Sequence, residues 1–276
     1  MSDNQDLLVT DESGVMTVTL NRPDRLNTLT WPMIAQLDEL VSRANRDPGV
    51  KVFVLAGAGR GFCAGHDLSA MGGEDGDPIT DKWKNEPIWL EPEQVAARMI
   101  EDSQIFISLF RMNKPTMAVM RGPAAGSGLA LATACDLRIV SETAFFKTSY
   151  ASAGRCGEPG SAFLLQRLVG PAKAREFMLL DEKIDASTAL AYGLANKVFA
   201  DDALDAEAAK IAAKFAAGPG MSYAGIKRNL NAAERLSFED CVSTEAAQNA
   251  RASMSHDGKE AGLAFMEKRA PAFRGY

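Results

Sequence analysis

The chain has 276 residues, 46% of them hydrophobic, and a formal net charge of −6 at pH 7. This length is sufficient for a large core in one domain, or in one domain with an appendage. The acidic balance argues against nucleic acid as the main partner, because phosphate backbones are bound by clustered Lys and Arg.

The cysteines and the first residues indicate a cytoplasmic protein. The four cysteines are scattered, without a Cys-x-x-Cys pair, and the start MSDNQDLLVT has neither a basic segment nor an apolar run. With only two histidines in addition, a metal site is not expected. No stretch approaches the roughly 20 apolar residues of a spanning helix, so membrane insertion is not expected either.

Strands and helices alternate in the first half of the chain. Alternating apolar residues predict a strand over 15–20, and a helix capped by Thr30 follows. Short apolar runs predict buried strands at 51–57, 116–120 and 136–140, with helical segments between them. Strand–helix–strand order implies parallel pairing with right-handed crossovers.

The pattern changes at about residue 161, and the remaining sequence reads as all-helical. We therefore expect a βα core over 1–200 and a helical C-terminal region over 201–276. Residues 72–94 fit neither pattern, because they are rich in Gly, Pro and acidic residues and carry Trp83 and Trp89. They are either a solvated insertion anchored by the two rings or a lid over a pocket, as long loops in compact domains often are.

Two glycine-bearing loops follow predicted strands: GRGFCAGHDL at 59–68 and RGPAAGSGLALATACD at 121–136. Glycine lets peptide N–H groups come close to a ligand. The second loop opens a helix near Gly128 and matches neither a Walker loop nor a usable dinucleotide fingerprint. Backbone donors and the positive end of a helix dipole would thus face a developing negative charge.

In their order and spacing, these motifs resemble the crotonase, or enoyl-CoA hydratase/isomerase, superfamily. The resemblance covers nearly the whole chain and includes LNRPDRLNTLT, KPTMAVM, LLQRLVGPAKAREFMLL and FMEKRAPAF. It implies an α/β fold, namely a spiral of ββα units with a helical C-terminal trimerisation region, and assembly as a homotrimer or a dimer of trimers. It also implies an acyl-CoA thioester substrate whose enolate oxygen is held by the backbone N–H groups of His66 and Ser127. Coenzyme A would be part of the substrate, so no separate cofactor is expected.

The familiar hydratases of this superfamily carry two glutamates, and the matching positions here hold Ala130 and Tyr150. Their absence argues against hydration by the two-glutamate route, since each positioned proton transfer contributes about 10²–10⁴-fold. Glu158, just before a predicted helix, lies in a segment that resembles the PEG-type loop of peroxisomal-type 3-enoyl-CoA/2-enoyl-CoA isomerases. There a single glutamate is the base. The alternative is that Glu158 only stabilises the N-terminus of the helix.

Three further side chains are candidates in the same region. Tyr150 is given an accessory role, because a phenol with an unperturbed pKa near ~10 is a poor base at neutral pH. The ring of His66 is a less favoured candidate base. Arg155 could act electrostatically on Glu158 or meet a substrate carboxylate, and the sequence leaves both open.

The resemblance also implies where coenzyme A binds. Arg25 in the first turn and the backbone around Ala64 would contact it, with Asp67 and Leu68 near the adenine. Phe265 and Lys268 of a neighbouring subunit would contact the same coenzyme A molecule. Lysine suits a phosphate as a mobile point charge. The alternative is an amphipathic terminal helix with Phe265 buried and Lys268 solvated.

The sequence therefore predicts an enzyme that acts on enoyl-CoA thioesters. Isomerisation of 3-enoyl-CoA to 2-enoyl-CoA is favoured, hydration of 2-enoyl-CoA comes second, and another enolate reaction, such as decarboxylation or C–C cleavage, comes third. The alternative from a different functional class is a relative that binds acyl-CoA without catalysing a reaction. Residues 72–94 and the helix after them are expected to shape the acyl pocket.

Overall fold

The computed structural model describes residues 6–67 and 92–276. Leu68, one of the residues predicted near the adenine, lies outside the described residues. So do residues 72–91 of the predicted insertion or lid, with both of its tryptophans.

The described strands form two sheets. Their bounds are β1 Leu7–Glu12, β2 Val15–Leu20, β3 Val52–Gly57, β4 Thr116–Met120, β5 Pro123–Ala125, β6 Leu137–Ser141, β7 Phe145–Lys147, β8 Ile184–Asp185 and β9 Lys197–Phe199. The main sheet has the order β1-β2-β3-β4-β6-β9, and a small sheet has the order β5-β7-β8. β1 and β2 form an antiparallel hairpin, and every other pair in the main sheet is parallel. The predicted parallel pairing of β2, β3, β4 and β6 is confirmed.

The helices follow the strands in alternation and then dominate the C-terminal part. Their bounds are α1 Trp31–Arg46, α2 Pro92–Asp102, α3 Gln104–Arg111, α4 Ser127–Ala134, α5 Ser161–Leu180, α6 Ala186–Ala191, α7 Leu204–Ala216, α8 Gly220–Ala233, α9 Phe238–Met254 and α10 His256–Met266. The predicted cap of α1 is confirmed, because the hydroxyl of Thr30 accepts a hydrogen bond from the N–H of Met33. In the described part of the chain, no helix combines the length and the apolar character that crossing a membrane requires.

Helices cover both faces of the main sheet, as is usual where the strands are parallel. On one face, α1 packs against α3 and α3 against α4, around the larger apolar core. On the other face, α7 places Leu204, Ala208 and Ala212 against side chains of β3, β4 and β6. Residues beyond 200 thus complete the covering of the sheet, and the division of the chain at residue 200 stays a prediction.

The expectation of helices alone after residue 161 is wrong in two places. β8 has two residues and pairs with β7, whereas β9 has three residues and pairs with β6. Strands of two or three residues are too short for an alternating pattern to be recognised, since it takes about four to eight residues to establish one. β1 also escapes prediction, because Leu7 is its one buried residue.

Candidate active site

Main-chain hydrogen bonds join the two glycine-bearing loops side by side. The N–H of Cys63 donates to the carbonyl oxygen of Pro123 at 2.9 Å, and the N–H of Ala125 donates to the carbonyl oxygen of Cys63 at 3.0 Å. This short ladder fixes the distance between the two loops. His66 lies three residues after Cys63 in the first loop, and Ser127 is the first residue of α4. The paired loops bring these two residues to the same cavity.

The close approach of the loops depends on Gly128. A Cβ atom at this position would overlap the carbonyl oxygen and the Cβ of Cys63. Cys63 itself is fully buried, and burial raises the pKa of its thiol to about 12. The thiol is therefore neutral and acts as a small packing group beneath the site.

Replacing Gly128 with Ala is expected to lower the free energy of unfolding by about 1–3 kcal/mol, because overpacking forces the main chain to shift. Chemical denaturation followed by circular dichroism measures this change. The control is Gly262→Ala in α10, where an added Cβ meets no described atom within 4 Å. This control should keep or slightly raise stability, since Ala is the better helix former. An unchanged denaturation midpoint for Gly128→Ala would contradict the tight packing of the loops.

His66 and Ser127 each bring a peptide N–H group to one cavity. Both residues line this cavity, whose volume is about 190 Å³. Across residues 6–67 and 92–276, neither N–H donates to a protein acceptor. Ser127 is the first residue of a helix, where N–H groups have no partner within the helix and the dipole is positive. Two such donors at one cavity can stabilise the oxyanion of a thioester enolate.

Glu158 lies against the side chains of these same two residues. Its Oε2 accepts a hydrogen bond from the hydroxyl of Ser127 at 2.8 Å, and its Oε1 lies 3.3 Å from Nε2 of His66. The carboxylate is 16% exposed and lines the cavity. The turn that carries it is fixed by Ser161, whose N–H and hydroxyl both donate to the carbonyl oxygen of Glu158. A carboxylate in this position can take up a proton beside a bound thioester.

Tyr150 lines the same cavity and is almost completely buried. Its hydroxyl donates to the carbonyl oxygen of Gly126 at 3.3 Å. Burial raises its pKa to about 12, so the phenol is neutral at physiological pH and is suited to hydrogen bonding rather than to proton abstraction. Ala130, at the other position where hydratases carry glutamate, is buried within α4. The four predicted catalytic residues are thus together in one cavity, and their roles stay predictions.

The sequence does not identify the individual residues that form one wall of the cavity. The Trp31 ring lies 4.9 Å from the His66 ring, and Cζ of Arg98 lies 5.5 Å from the Trp31 ring centroid. Arg98 Nε donates to both carboxylate oxygens of Asp102, at 3.0 and 2.9 Å. The helix expected after residue 94 begins at Pro92, as α2, and does line the cavity. An ordinary i,i+4 ion pair and a tryptophan at the start of a helix, however, give no signal of a site in the sequence.

The residues predicted to hold coenzyme A are divided between the cavity and the surface. Ala64 and Asp67 line the cavity, and the carboxylate of Asp67 pairs with Arg22 at 2.7 Å. Arg25 is exposed in the 3₁₀ turn Pro23–Arg25 and is not part of the cavity lining. Arg155 is exposed at the mouth of the cavity.

Phe265 lies in the last turn of α10 and Lys268 just beyond it, and neither lines the cavity of its own chain. Phe265 is 86% exposed, so the alternative in which this ring is buried in its own chain is wrong. An exposed ring is what contact with a neighbouring subunit would require.

Comparison with known proteins gives matches over nearly the whole chain. The family model described as enoyl-CoA hydratase/isomerase matches residues 10–276. The 1,2-epoxyphenylacetyl-CoA isomerase of Escherichia coli strain K12 is 33% identical over 264 residues, which are 96% of each chain. The (E)-benzylidenesuccinyl-CoA hydratase of Thauera aromatica is 34% identical over 95% of this chain and 96% of its own. The crystal structure of an enoyl-CoA hydratase from Bacillus anthracis superposes with a TM-score of 0.87 at 26% identity, covering 99% of this chain and 100% of its own.

These matches confirm the fold and the superfamily that the motifs indicated, whereas the nearer likeness to peroxisomal-type isomerases stays a prediction. The chain belongs to the enoyl-CoA hydratase/isomerase family, within the crotonase superfamily, and is an enzyme of acyl-CoA thioesters.

Proposed function

We propose that this enzyme moves the double bond of a 3-enoyl-CoA to the 2-position, with Glu158 as its single acid–base group. One observation carries the proposal. The carboxylate of Glu158 contacts the side chains of both His66 and Ser127, the two residues that each bring a peptide N–H group to the cavity. A base in that position reaches the carbon next to a thioester carbonyl that those N–H groups hold.

In the proposed reaction, the thioester oxygen accepts hydrogen bonds from the N–H groups of His66 and Ser127. Charge can then gather on this oxygen, which makes the C2 proton of the substrate acidic. Glu158 takes that proton, the electrons move into a dienolate, and the protonated carboxyl returns the proton at C4. The C2–C3 double bond forms as the C3–C4 double bond is lost. No water and no cofactor beyond the coenzyme A of the substrate enter the reaction.

The other carboxylates of the cavity already have cationic partners. Asp67 pairs with Arg22, and Asp102 pairs with Arg98. Glu158 instead has a hydroxyl and an imidazole beside it, which can orient its two oxygens and still allow it to gain a proton. This difference supports Glu158 as the acid–base group.

Hydration is the second candidate, because several relatives are named hydratases, one of them 34% identical and another 38% identical to this chain. A parallel assay of the purified enzyme separates the two reactions. Isomerisation of a 3-enoyl-CoA raises the ultraviolet absorbance of the conjugated thioester, whereas hydration of a 2-enoyl-CoA removes it. We expect isomerisation to be the faster reaction. Hydration without isomerisation would contradict the proposal, and binding of acyl-CoA without any turnover would support a non-catalytic role.

The proposed assembly is a homotrimer or a dimer of trimers, with coenzyme A held by Arg25, Ala64 and Asp67 of one subunit and by Phe265 and Lys268 of the next. Its support is the set of large apolar side chains that the C-terminal helices expose, because such side chains are common at contact surfaces between subunits. The most exposed of these side chains are Phe265 at 86%, Phe238 at 79%, Met254 at 76%, Met266 at 72% and Leu230 at 64%. Residues 201–276 would then be the oligomerisation region.

A further inference from the structure

The guanidinium of Arg98 is part of the cavity wall. Arg98 projects from α2 into the cavity lining and uses its Nε for the ion pair with Asp102. Within the described ranges, its two terminal nitrogens, Nη1 and Nη2, have no hydrogen-bond acceptor. The Trp31 ring supports the guanidinium from one side, with Cζ 5.5 Å from the ring centroid. The side chain of Arg98 is 34% exposed and therefore accessible to a ligand.

A purely alkyl acyl group is expected to bind weakly against Arg98 and Asp102. It would remove water from Arg98 and Asp102 and offer no acceptor in return, and a buried charge without an acceptor is costly. Two parallel N–H donors on a guanidinium match the two oxygens of a carboxylate. Asp102 binds Nε of Arg98 and so fixes the orientation of Nη1 and Nη2. The Arg98 side chain therefore loses little conformational entropy when these two nitrogens bind a ligand.

Arg98 belongs to the acyl part of the site. It lines the same cavity of about 190 Å³ as His66 and Ser127, whose N–H groups are proposed to hold the thioester oxygen. The phosphates of coenzyme A are separated from the thioester by the pantetheine arm, so a side chain that lines the thioester cavity is placed to meet the acyl group. The Trp31 ring contacts both the His66 ring, at 4.9 Å, and the guanidinium of Arg98, at 5.5 Å, so all three belong to one wall.

We propose that Arg98 binds a carboxylate at the far end of the acyl group, so that the substrate is the coenzyme A monothioester of a dicarboxylic acid. This inference rests on the proposed function, which places the thioester oxygen at the two N–H groups. Asp102 keeps Arg98 in place and repels an anion that is not aligned with the fork.

Binding without turnover tests this directly. Isothermal titration calorimetry with the full chain compares carbon-matched saturated pairs: butyryl- with succinyl-CoA, pentanoyl- with glutaryl-CoA, and hexanoyl- with adipoyl-CoA. At least one carboxylate-ended ligand is expected to bind on the order of tenfold to hundredfold more tightly than its methyl-ended counterpart. The paired variant Arg98→Gln with Asp102→Asn, which keeps the local charge balance, should abolish this preference, with weaker binding of the carboxylate-ended ligand and equal or tighter binding of the methyl-ended one.

Two further variants keep the test decisive. Arg98→Lys retains the charge but loses the fork, so the preference should fall even if the paired variant does not fold. The matched control is Arg111→Gln, which removes an exposed arginine of α3 that is outside the cavity lining and should change nothing.

Three results would overturn the inference: no preference in the wild-type protein for any pair, a preference that survives in Arg98→Lys and the paired variant, or equal losses for both members of a pair. Equal losses would place Arg98 on the coenzyme itself. Because these measurements need no turnover, an absence of isomerase activity would count against the proposed function alone.

Discussion

Replacing Glu158 with Gln is expected to slow the turnover of a 3-enoyl-CoA substrate at least about 100-fold, the usual contribution of a positioned acid–base group. Glutamine keeps the size of the side chain, and its amide oxygen can still accept the hydrogen bond from Ser127. It cannot take a proton from C2. The initial rate at saturating substrate measures the loss, and the KM should change much less because the thioester contacts remain.

The matched control is Glu182→Gln, which removes an exposed carboxylate just after α5. Its turnover rate and KM should equal those of the wild-type enzyme. If Glu158→Gln retained wild-type turnover while remaining folded, the assignment of the base would be wrong, and the proton would have to be moved by another group.

Replacing Ser127 with Pro is expected to slow turnover about 10²–10³-fold, because it removes one oxyanion donor. Ser127 is the first residue of α4, the helical position that tolerates proline best. The preceding residue, Gly126, has φ 52° and ψ −121° and carries no Cβ that would clash with the proline ring. The substitution therefore removes a peptide N–H with little expected effect on the helix.

Ser127→Ala is the matched variant, because it keeps the N–H and loses only the hydroxyl that donates to Glu158. Its turnover rate should fall on the order of tenfold, the scale of one hydrogen bond to a charged group. Circular dichroism and acyl-CoA binding establish that both variants are folded. Equal rates for the Pro and Ala variants would show that the N–H of Ser127 is not an oxyanion donor.

The sequence predicts those parts of the fold and site that depend on local patterns. α1 shows why: Thr30 caps it, and its apolar residues recur at helical spacing, so one segment carries the whole signal. The two glycine-bearing loops are found in the same way, since each follows an apolar strand. The family resemblance implies that the two loops lie close together. The main-chain hydrogen bonds of Cys63 with Pro123 and Ala125 are the physical cause.

Contacts between side chains that are distant in sequence could not be predicted. The sequence assigns a role only to the backbone of Ser127, yet its hydroxyl is a hydrogen-bond partner of Glu158, 31 residues away. Trp31 and Arg98 likewise show no motif, and they meet only because α2 packs against α1. Such contacts depend on the packing of whole elements, which no local repeat encodes.

A crystal structure with butyryl-CoA, a saturated thioester that cannot be isomerised, would show where the thioester oxygen binds. We expect this oxygen within about 2.7–3.1 Å of the peptide nitrogens of both His66 and Ser127, with C2 of the acyl group facing the carboxylate of Glu158. A thioester oxygen that contacts neither nitrogen, or a Glu158 side chain turned to solvent in the complex, would contradict this expectation.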